Sequence, residues 1–226
     1  SVLMLHRTRH LFVRQRTTLF NALRAHLPEF GIVAGVGRNG LERLLNVIKD
    51  DGDNRVPSAA QDCLLALRDQ LEMVKHQILD GDRRILAWHR MSEVSKRLDD
   101  IPGIGPLFAT ALVAFVPDPH VFKSGRDLAA WIGLVPRQNS TGGKDRLGHI
   151  SKAGNRYLRM QLVVGALSVI RRAQQVGYTR RPWLIKLLER RSTKVAAIAL
   201  ANKNARTAWA MMTQGTYYEE PTSQAA

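Results

Sequence analysis

Apolar residues recur along this chain with helical spacing almost from its first residue. Leu3, Leu5, Leu11, Phe12, Leu19, Phe20, Leu23 and Leu27 recur at mixed spacing that includes three, four and seven, with arginines between them. That spacing predicts an amphipathic helix closing near Pro28. No capping residue precedes the pattern, so we expect a segment upstream of Ser1. Four glycines between Gly31 and Gly40 predict a loop, and Leu41, Leu44, Leu45 and Ile48 a short helix ending in a turn at 50–54. Pro57-Ser58 then opens the longest periodic segment. Leu64, Leu67, Leu71, Val74, Ile78, Ile85 and Trp88 occupy every slot of a 3-4 repeat except the one held by Gly81, and charged residues flank them. Such a stripe predicts a coiled coil or a long antiparallel helix pair. It serves either as an oligomerisation arm or as a helix packed on its own domain.

A second unit begins near Asp99. Ile101-Pro102-Gly103-Ile104-Gly105-Pro106 leads into an apolar helix over 107–116. After Pro117 and Pro119 come a helix through Asp127 to Ile132, a polar loop from Arg137 to Gly148, and helices over 155–175, 183–191 and 192–214. No alternating strand pattern and no internal repeat stands out. The fold class is therefore all-α, or mostly so.

The chain has 226 residues, enough for a core without metal or disulfide support. Its composition, 45% hydrophobic and 23% charged, excludes wholesale disorder. Cys63 is the single cysteine, so no internal disulfide or cysteine-based zinc site is available, and a reducing, cytoplasmic compartment is expected. No apolar run approaches the ~18 residues of a membrane span, and no signal-peptide layout opens the chain.

Charge changes the picture most. The net charge is +15 and it is concentrated: residues 151–210 hold thirteen basic residues against the single acid Glu189. Residues 28–100 are nearly balanced. A basic third beside a balanced middle points to a polyanion, above all nucleic acid, rather than to a merely soluble surface.

Candidate chemistry sits in three stretches. The Pro102-Gly103-Ile104-Gly105 turn resembles a helix-hairpin-helix, in which Gly103 and Gly105 let backbone N–H groups approach a phosphate. The alternative is that the glycines only pack two helices closely. The loop Arg137-Gln138-Asn139-Ser140-Thr141-Gly142-Gly143-Lys144-Asp145-Arg146 fails the phosphate-loop pattern twice. It does place a serine on a glycine-supported loop among Arg137, Lys144 and Arg146. Ser140 is thus either a nucleophile toward a DNA phosphodiester or an ordinary turn hydroxyl. In His149-Ile150-Ser151-Lys152-Ala153-Gly154-Asn155-Arg156-Tyr157-Leu158-Arg159, Ser151 or Asn155 can cap a helix. Lys152, Arg156 and Arg159 then share its face as a phosphate clamp, or as a solvated face. No carboxylate pair is placed to hold Mg²⁺.

These stretches, with Phe122-Lys123-Ser124, Trp131-Ile-Gly-Leu-Val-Pro-Arg137, Lys203-Asn204-Ala205-Arg206 and Trp209-Ala210, together resemble the C-terminal transposase domain of insertion-sequence transposases of the one-ten, one-sixteen and nine-oh-two group. The resemblance covers most of the chain, roughly residues 99–212, with the arginine-rich opening and periodic segment also fitting. It implies a site-specific DNA recombinase guided by a bridge RNA, with an upstream RuvC-like domain whose four acids bind Mg²⁺. It also implies a serine forming a 5′-phosphoserine link to DNA, dimers and tetramers built through the coiled coil, and a nucleoid-associated bacterial protein. The nucleophile implied is Ser140, with Ser151 as the competitor. On this basis residues 1–57 follow an absent RuvC-like half, 58–98 are a coiled-coil arm and homo-oligomer contact, 99–214 the transposase domain and 215–226 a tail. Without the acids the chain is expected to be catalytically incomplete. The alternatives are a non-enzymatic helical nucleic-acid-binding module and a coiled-coil assembly factor with an incidental basic tail.

Overall fold

The computed structural model describes residues 2–35, 37–50, 55–144, 146–176 and 182–220. The expected turn at 50–54 lies, apart from Asp50, outside the described residues, as do Asp145 and the tail beyond Glu220. Contacts divide the chain into two compact units, Leu3–Arg84 and Ile85 onward.

In the first unit the opening apolar pattern forms α1 (Val2–His26). Pro28 supplies the first turn of a 3₁₀ helix over Leu27–Phe30, which Gly31 ends in the left-handed conformation. Then follow α2 (Arg38–Lys49) and α3 (Ser58–Met91). Leu23, Leu27, Ile32, Leu44, Leu45, Ile48, Leu64 and Leu71 form one core cluster. Arg9, early in α1, pairs with Asp82, late in α3, whereas Leu23 and Leu27 cluster with Leu64 near the start of α3. The two helices therefore run antiparallel. At the gap in the 3-4 repeat, Gly81 lies against the stem of the arginine that grips Asp82; a methyl there would be at 3.5 Å from Cβ of Arg9, an ordinary contact distance. The stripe residues Leu64, Leu71, Val74 and Ile78 are all buried within the chain.

The second unit takes the end of α3, then α4 (Glu93–Asp99), α5 (Pro106–Phe115), α6 (Gly125–Ile132), β1 (Pro136–Gln138), β2 (Leu147–Ile150), α7 (Arg156–Val176), α8 (Pro182–Arg190) and α9 (Thr193–Gln214). Its centre is α9, which packs on α4, α6, α7 and α8. The buried side of α9 is Ala196, Ala197, Leu200, Ala201, Asn204, Ala205, Ala208 and Met211. So many alanines let the neighbouring helices approach closely. The one amide in that row, Asn204, donates from Nδ2 to the Pro102 carbonyl at 2.9 Å and so ties the Pro-Gly turn to α9.

Two features correct the sequence reading. The periodic helix breaks at Ser92, whose hydroxyl accepts from the Ser95 N–H and starts the separate helix α4. His89 Nδ1 lies 2.8 Å from Ser95 Oγ, and His89 Nε2 lies 3.5 Å from Asp99 Oδ2. These are the residue types of a hydrolytic triad, yet Ser95 is wholly buried and no substrate reaches it. The three hold the α3–α4 corner. Burial raises the Asp99 carboxyl above its ordinary value, against the lowering influence of His89. The second correction is the stretch read as loop, which contains the antiparallel pair β1–β2. Both strands are short, and β1 is exposed throughout, so no alternation marks them. Among the described residues no helix is long and apolar enough to cross a membrane.

His6 on α1 is buried, and burial, reinforced by Arg9, lowers its pKa from 6.5 to about 4. The unfolded chain takes up this proton near pH 6.5 and the folded chain does not until about pH 4. Stability is therefore full above pH 6.5 and falls between those values, by roughly 1–2 kcal/mol at pH 5. Thermal melts of the parent and His6→Leu at pH 7 and pH 5 check this. The melting temperature of the parent should drop more on acidification than that of the variant.

Candidate nucleic-acid interface

Helix α6 ends at Gly133, left-handed at φ 84°, and the chain turns out through Leu134 and Val135 into β1. The strand pair continues past β1 as a hairpin: the Asn139 N–H donates to the Arg146 carbonyl at 2.8 Å, and Thr141 pairs with Lys144. At the tip the Lys144 N–H donates to the Thr141 carbonyl at 3.1 Å, and Gly142 and Gly143 both have positive φ, 58° and 73°. That is the signature of a two-residue type I′ turn, which needs φ > 0 at both central positions and explains the glycine pair. Ser140 stands just below this tip, and its Oγ accepts from the Arg146 N–H at 3.1 Å. The side chains of Arg137, Lys144 and Arg146 are exposed. The structure thus brings Ser140, Arg137, Lys144 and Arg146 together on one hairpin.

The hairpin is fixed at its base by backbone contact. Ser151 N–H donates to the Val135 carbonyl at 2.8 Å, and Asn155 N–H reaches the Trp131 carbonyl at 3.4 Å. A methyl at Gly154 would sit 1.7 Å from the Trp131 carbonyl oxygen, and one at Gly133 would sit 2.0 Å from that of Ala153. The segment 151–155 therefore lies directly on the end of α6. Asn155 Oδ1 accepts from the Leu158 N–H at 3.1 Å and caps α7.

This arrangement sorts the other candidates. Arg159 donates from Nη1 to the carbonyls of Ile132 at 2.6 Å and Ala153 at 2.9 Å. It clamps the hairpin base, and burial together with neighbouring Arg156 lowers its pKa. Lys152 lies before the cap at φ 55°, so it is not on α7. The shared face expected for Lys152, Arg156 and Arg159 is therefore corrected: the helix begins at Arg156, and Lys152 and Arg156 are exposed at its entry. Arg137 Nη2 reaches the Ser151 carbonyl at 3.4 Å. Ser151 Oγ is buried with no hydrogen-bond partner. Gly103 packs elsewhere: a methyl on it would lie 3.0 Å from the Gly165 carbonyl, so the Pro-Gly turn meets α7 backbone to backbone. That contact is about 14 Å along α7 from Arg156. Gly105 begins α5 with open space beside it.

Among the described residues no three His, Cys, Asp or Glu side chains could hold one metal ion. Two residues not singled out in the sequence, Arg126 and Trp183, line a cleft with Lys203 and Arg206. They lie on three separate helices, so only the tertiary fold reveals the group.

Residues 95–180 match the family model described as Transposase IS116/IS110/IS902 family. The chain is 45% identical over 227 residues to the putative transposase y4pF/y4sB of Sinorhizobium fredii, covering 100% of this chain and 58% of that protein. It is 42% identical over 219 residues to a probable family 20 transposase of Pseudomonas aeruginosa, covering 96% and 65%. It is 36% identical over 219 residues to the transposase for insertion sequence element IS1111A of Coxiella burnetii, covering 96% and 60%. The chain thus spans between 58% and 65% of the length of these relatives.

The close approach at the hairpin base generates a prediction. Gly154→Ala forces a methyl into the Trp131 carbonyl, at a left-handed position as well, and should cost about 3 kcal/mol or more. Ala153→Gly, beside it, removes only an exposed methyl and should cost under about 1 kcal/mol. Urea denaturation followed by circular dichroism measures both. Near-equal midpoints for the two variants would refute the backbone docking.

Proposed function

We propose, from the match of residues 95–180 to the IS116/IS110/IS902 transposase family model, that the chain belongs to that family and is the strand-handling part of an insertion-sequence transposase in which Ser140 attacks DNA. The observation that carries this is the hydrogen bond from the Arg146 N–H to Ser140 Oγ on an exposed, cation-bearing hairpin. A donor aimed at the hydroxyl oxygen favours its deprotonated form and fixes its direction of attack.

In the step itself Ser140 Oγ gives up its proton and forms a bond to the phosphorus of a DNA phosphodiester. The bond from phosphorus to the 3′ oxygen breaks, and that oxygen leaves as a hydroxyl after taking up a proton. A 5′-phosphoserine link remains. Arg137, Lys144 and Arg146 stand where they can neutralise the non-bridging oxygens as charge develops on them. Ser151 is the weaker candidate because its Oγ is buried.

In the same reading a guide RNA supplies target choice, residues 58–98 contribute to a homo-oligomer, and Mg²⁺ is held by acids on a segment outside these 226 residues. The second reading, a non-enzymatic nucleic-acid-binding module, is favoured by the exposed cations at the entry to α7, which bind phosphate without any chemistry.

The test is covalent capture with the complete transposase, guide RNA, Mg²⁺ and end-labelled DNA. An adduct that survives SDS is expected with the parent and with Ser151→Ala, and should vanish with Ser140→Ala. Loss only with Ser151→Ala moves the nucleophile. No adduct in any sample, with salt-sensitive binding intact, leaves the non-enzymatic module. For duplex binding, Arg137→Ala, Lys144→Ala and Arg146→Ala should each reduce the slope of log affinity against log salt by about 0.9, which a fluorescence-anisotropy salt titration reads directly.

A further inference from the structure

Away from the hairpin, the second unit has a cleft of about 820 Å³ between the start of α6, the start of α8 and the outer side of α9. Three cations line it, Arg126 from α6 and Lys203 and Arg206 from α9, and none of the lining residues is acidic. Arg126, Lys203 and Arg206 all have exposed side chains. Their arrangement is fixed by the fold: a methyl at Gly125 would lie 3.0 Å from both Cα and the carbonyl oxygen of Arg206, so α6 starts directly against α9.

The wall from α8 is Trp183. Its ring is half-buried against the core, and the Lys203 ammonium stands 5.0 Å from the ring centroid. The second tryptophan in the cleft, Trp209, donates its indole N–H to the Pro119 carbonyl at 3.0 Å and is thereby held in the core wall. An aromatic face beside three cations, with no acid among the described lining residues, is the combination that takes up a base by stacking and its phosphates by charge. Duplex DNA offers no unstacked base face to such a ring; a single strand does.

We propose that this cleft binds an unpaired nucleotide of single-stranded nucleic acid, the base on Trp183 and the flanking phosphates on Arg126, Lys203 and Arg206. Lys203 moves from the ring to the phosphate when the base enters. The proposal rests on the reading that the chain handles nucleic acid, but it needs neither Ser140 chemistry nor a metal. It gives the second unit two separate contacts: the hairpin for the strand that is cut, and this cleft for a strand held open.

The test uses the purified 226-residue chain with oligo-dT, oligo-rU and a DNA duplex, read by anisotropy at one salt concentration. Trp183→Ala should lower single-strand affinity about tenfold or more while changing duplex affinity less than about twofold. Trp183→Phe should retain most of it. Since Trp183 also packs on the core, Lys203→Glu is the control that leaves the core intact, and it should lower single-strand affinity too. A greater loss for oligo-dT than for oligo-rU assigns the strand to DNA, and the reverse assigns it to RNA. Equal loss on duplex and single strand, or single-strand affinity unchanged in both Trp183→Ala and Lys203→Glu, overturns the proposal. Loss of single-strand binding in these variants, with no serine adduct ever found, retains the cleft and removes the recombinase step. Binding of no nucleic acid by the parent removes both.

Discussion

The second unit depends on one backbone-to-backbone contact, the seating of segment 151–155 on the end of α6. Gly133 and Gly154 permit it, and neither position tolerates a side chain because a carbonyl oxygen occupies the space. Everything around Ser140 hangs from that contact. It sets where β1 leaves α6, where β2 returns and where α7 begins, so the hairpin projects from a rigid base although its strands are short and exposed. Arg159 completes the arrangement by closing the carbonyls of Ile132 and Ala153 with one guanidinium nitrogen. A cation in the basic run 152–159 thus has a structural duty, and its neighbours Lys152 and Arg156 are left to face solvent.

Charge and packing are therefore interleaved in this chain rather than segregated. Residues 151–210 hold most of the excess positive charge, yet they also build α7 and α9, the two helices in the middle of the core. Alanine and leucine on the inner sides make that possible, with lysines and arginines carried on the outer sides. A helix so constructed brings most of its cations to a surface, where they avoid the several kcal/mol that full burial of each would cost; Arg159 is the part-buried one, and two carbonyls receive it. Asn204 is the exception on the inner side, and its amide is matched by the Pro102 carbonyl.

What the sequence disclosed follows from which signals are local. Helical spacing is local, so α1, α2, α3, α5, α6, α7, α8 and α9 all stood near their expected places. The apolar repeat itself stops at Trp88, with serine in its next two slots, 92 and 95, but only the structure shows that the Ser92 hydroxyl caps a new helix there. The hairpin was obscured because β1 has no buried side and therefore no alternation. Its turn, by contrast, was written in Gly142-Gly143, a pair whose need for positive φ was available to be read. Ser140 and its three cations were legible as a cluster because they are contiguous. The cleft of Arg126, Trp183, Lys203 and Arg206 was not, since its members are up to eighty positions apart and no spacing rule joins them.

The periodic stripe bears on how copies of the chain could associate. Leu64 and Leu71 already pack in the cluster that holds Leu23 and Leu27, and Arg9 lies beside Gly81. A second copy could not use the same seam without displacing α1, which would expose the apolar side of that helix and break the Arg9–Asp82 pair. The homo-oligomer proposed for this segment would therefore have to draw on the flanks of the helix pair. Leu11 on α1 and Met73 and Leu79 on α3 are exposed there, at 49%, 58% and 52%. A 3-4 repeat read from sequence says that a helix has one apolar side; whether that side is answered from within the chain or from outside it is decided by the partner helix, and here α1 answers it first.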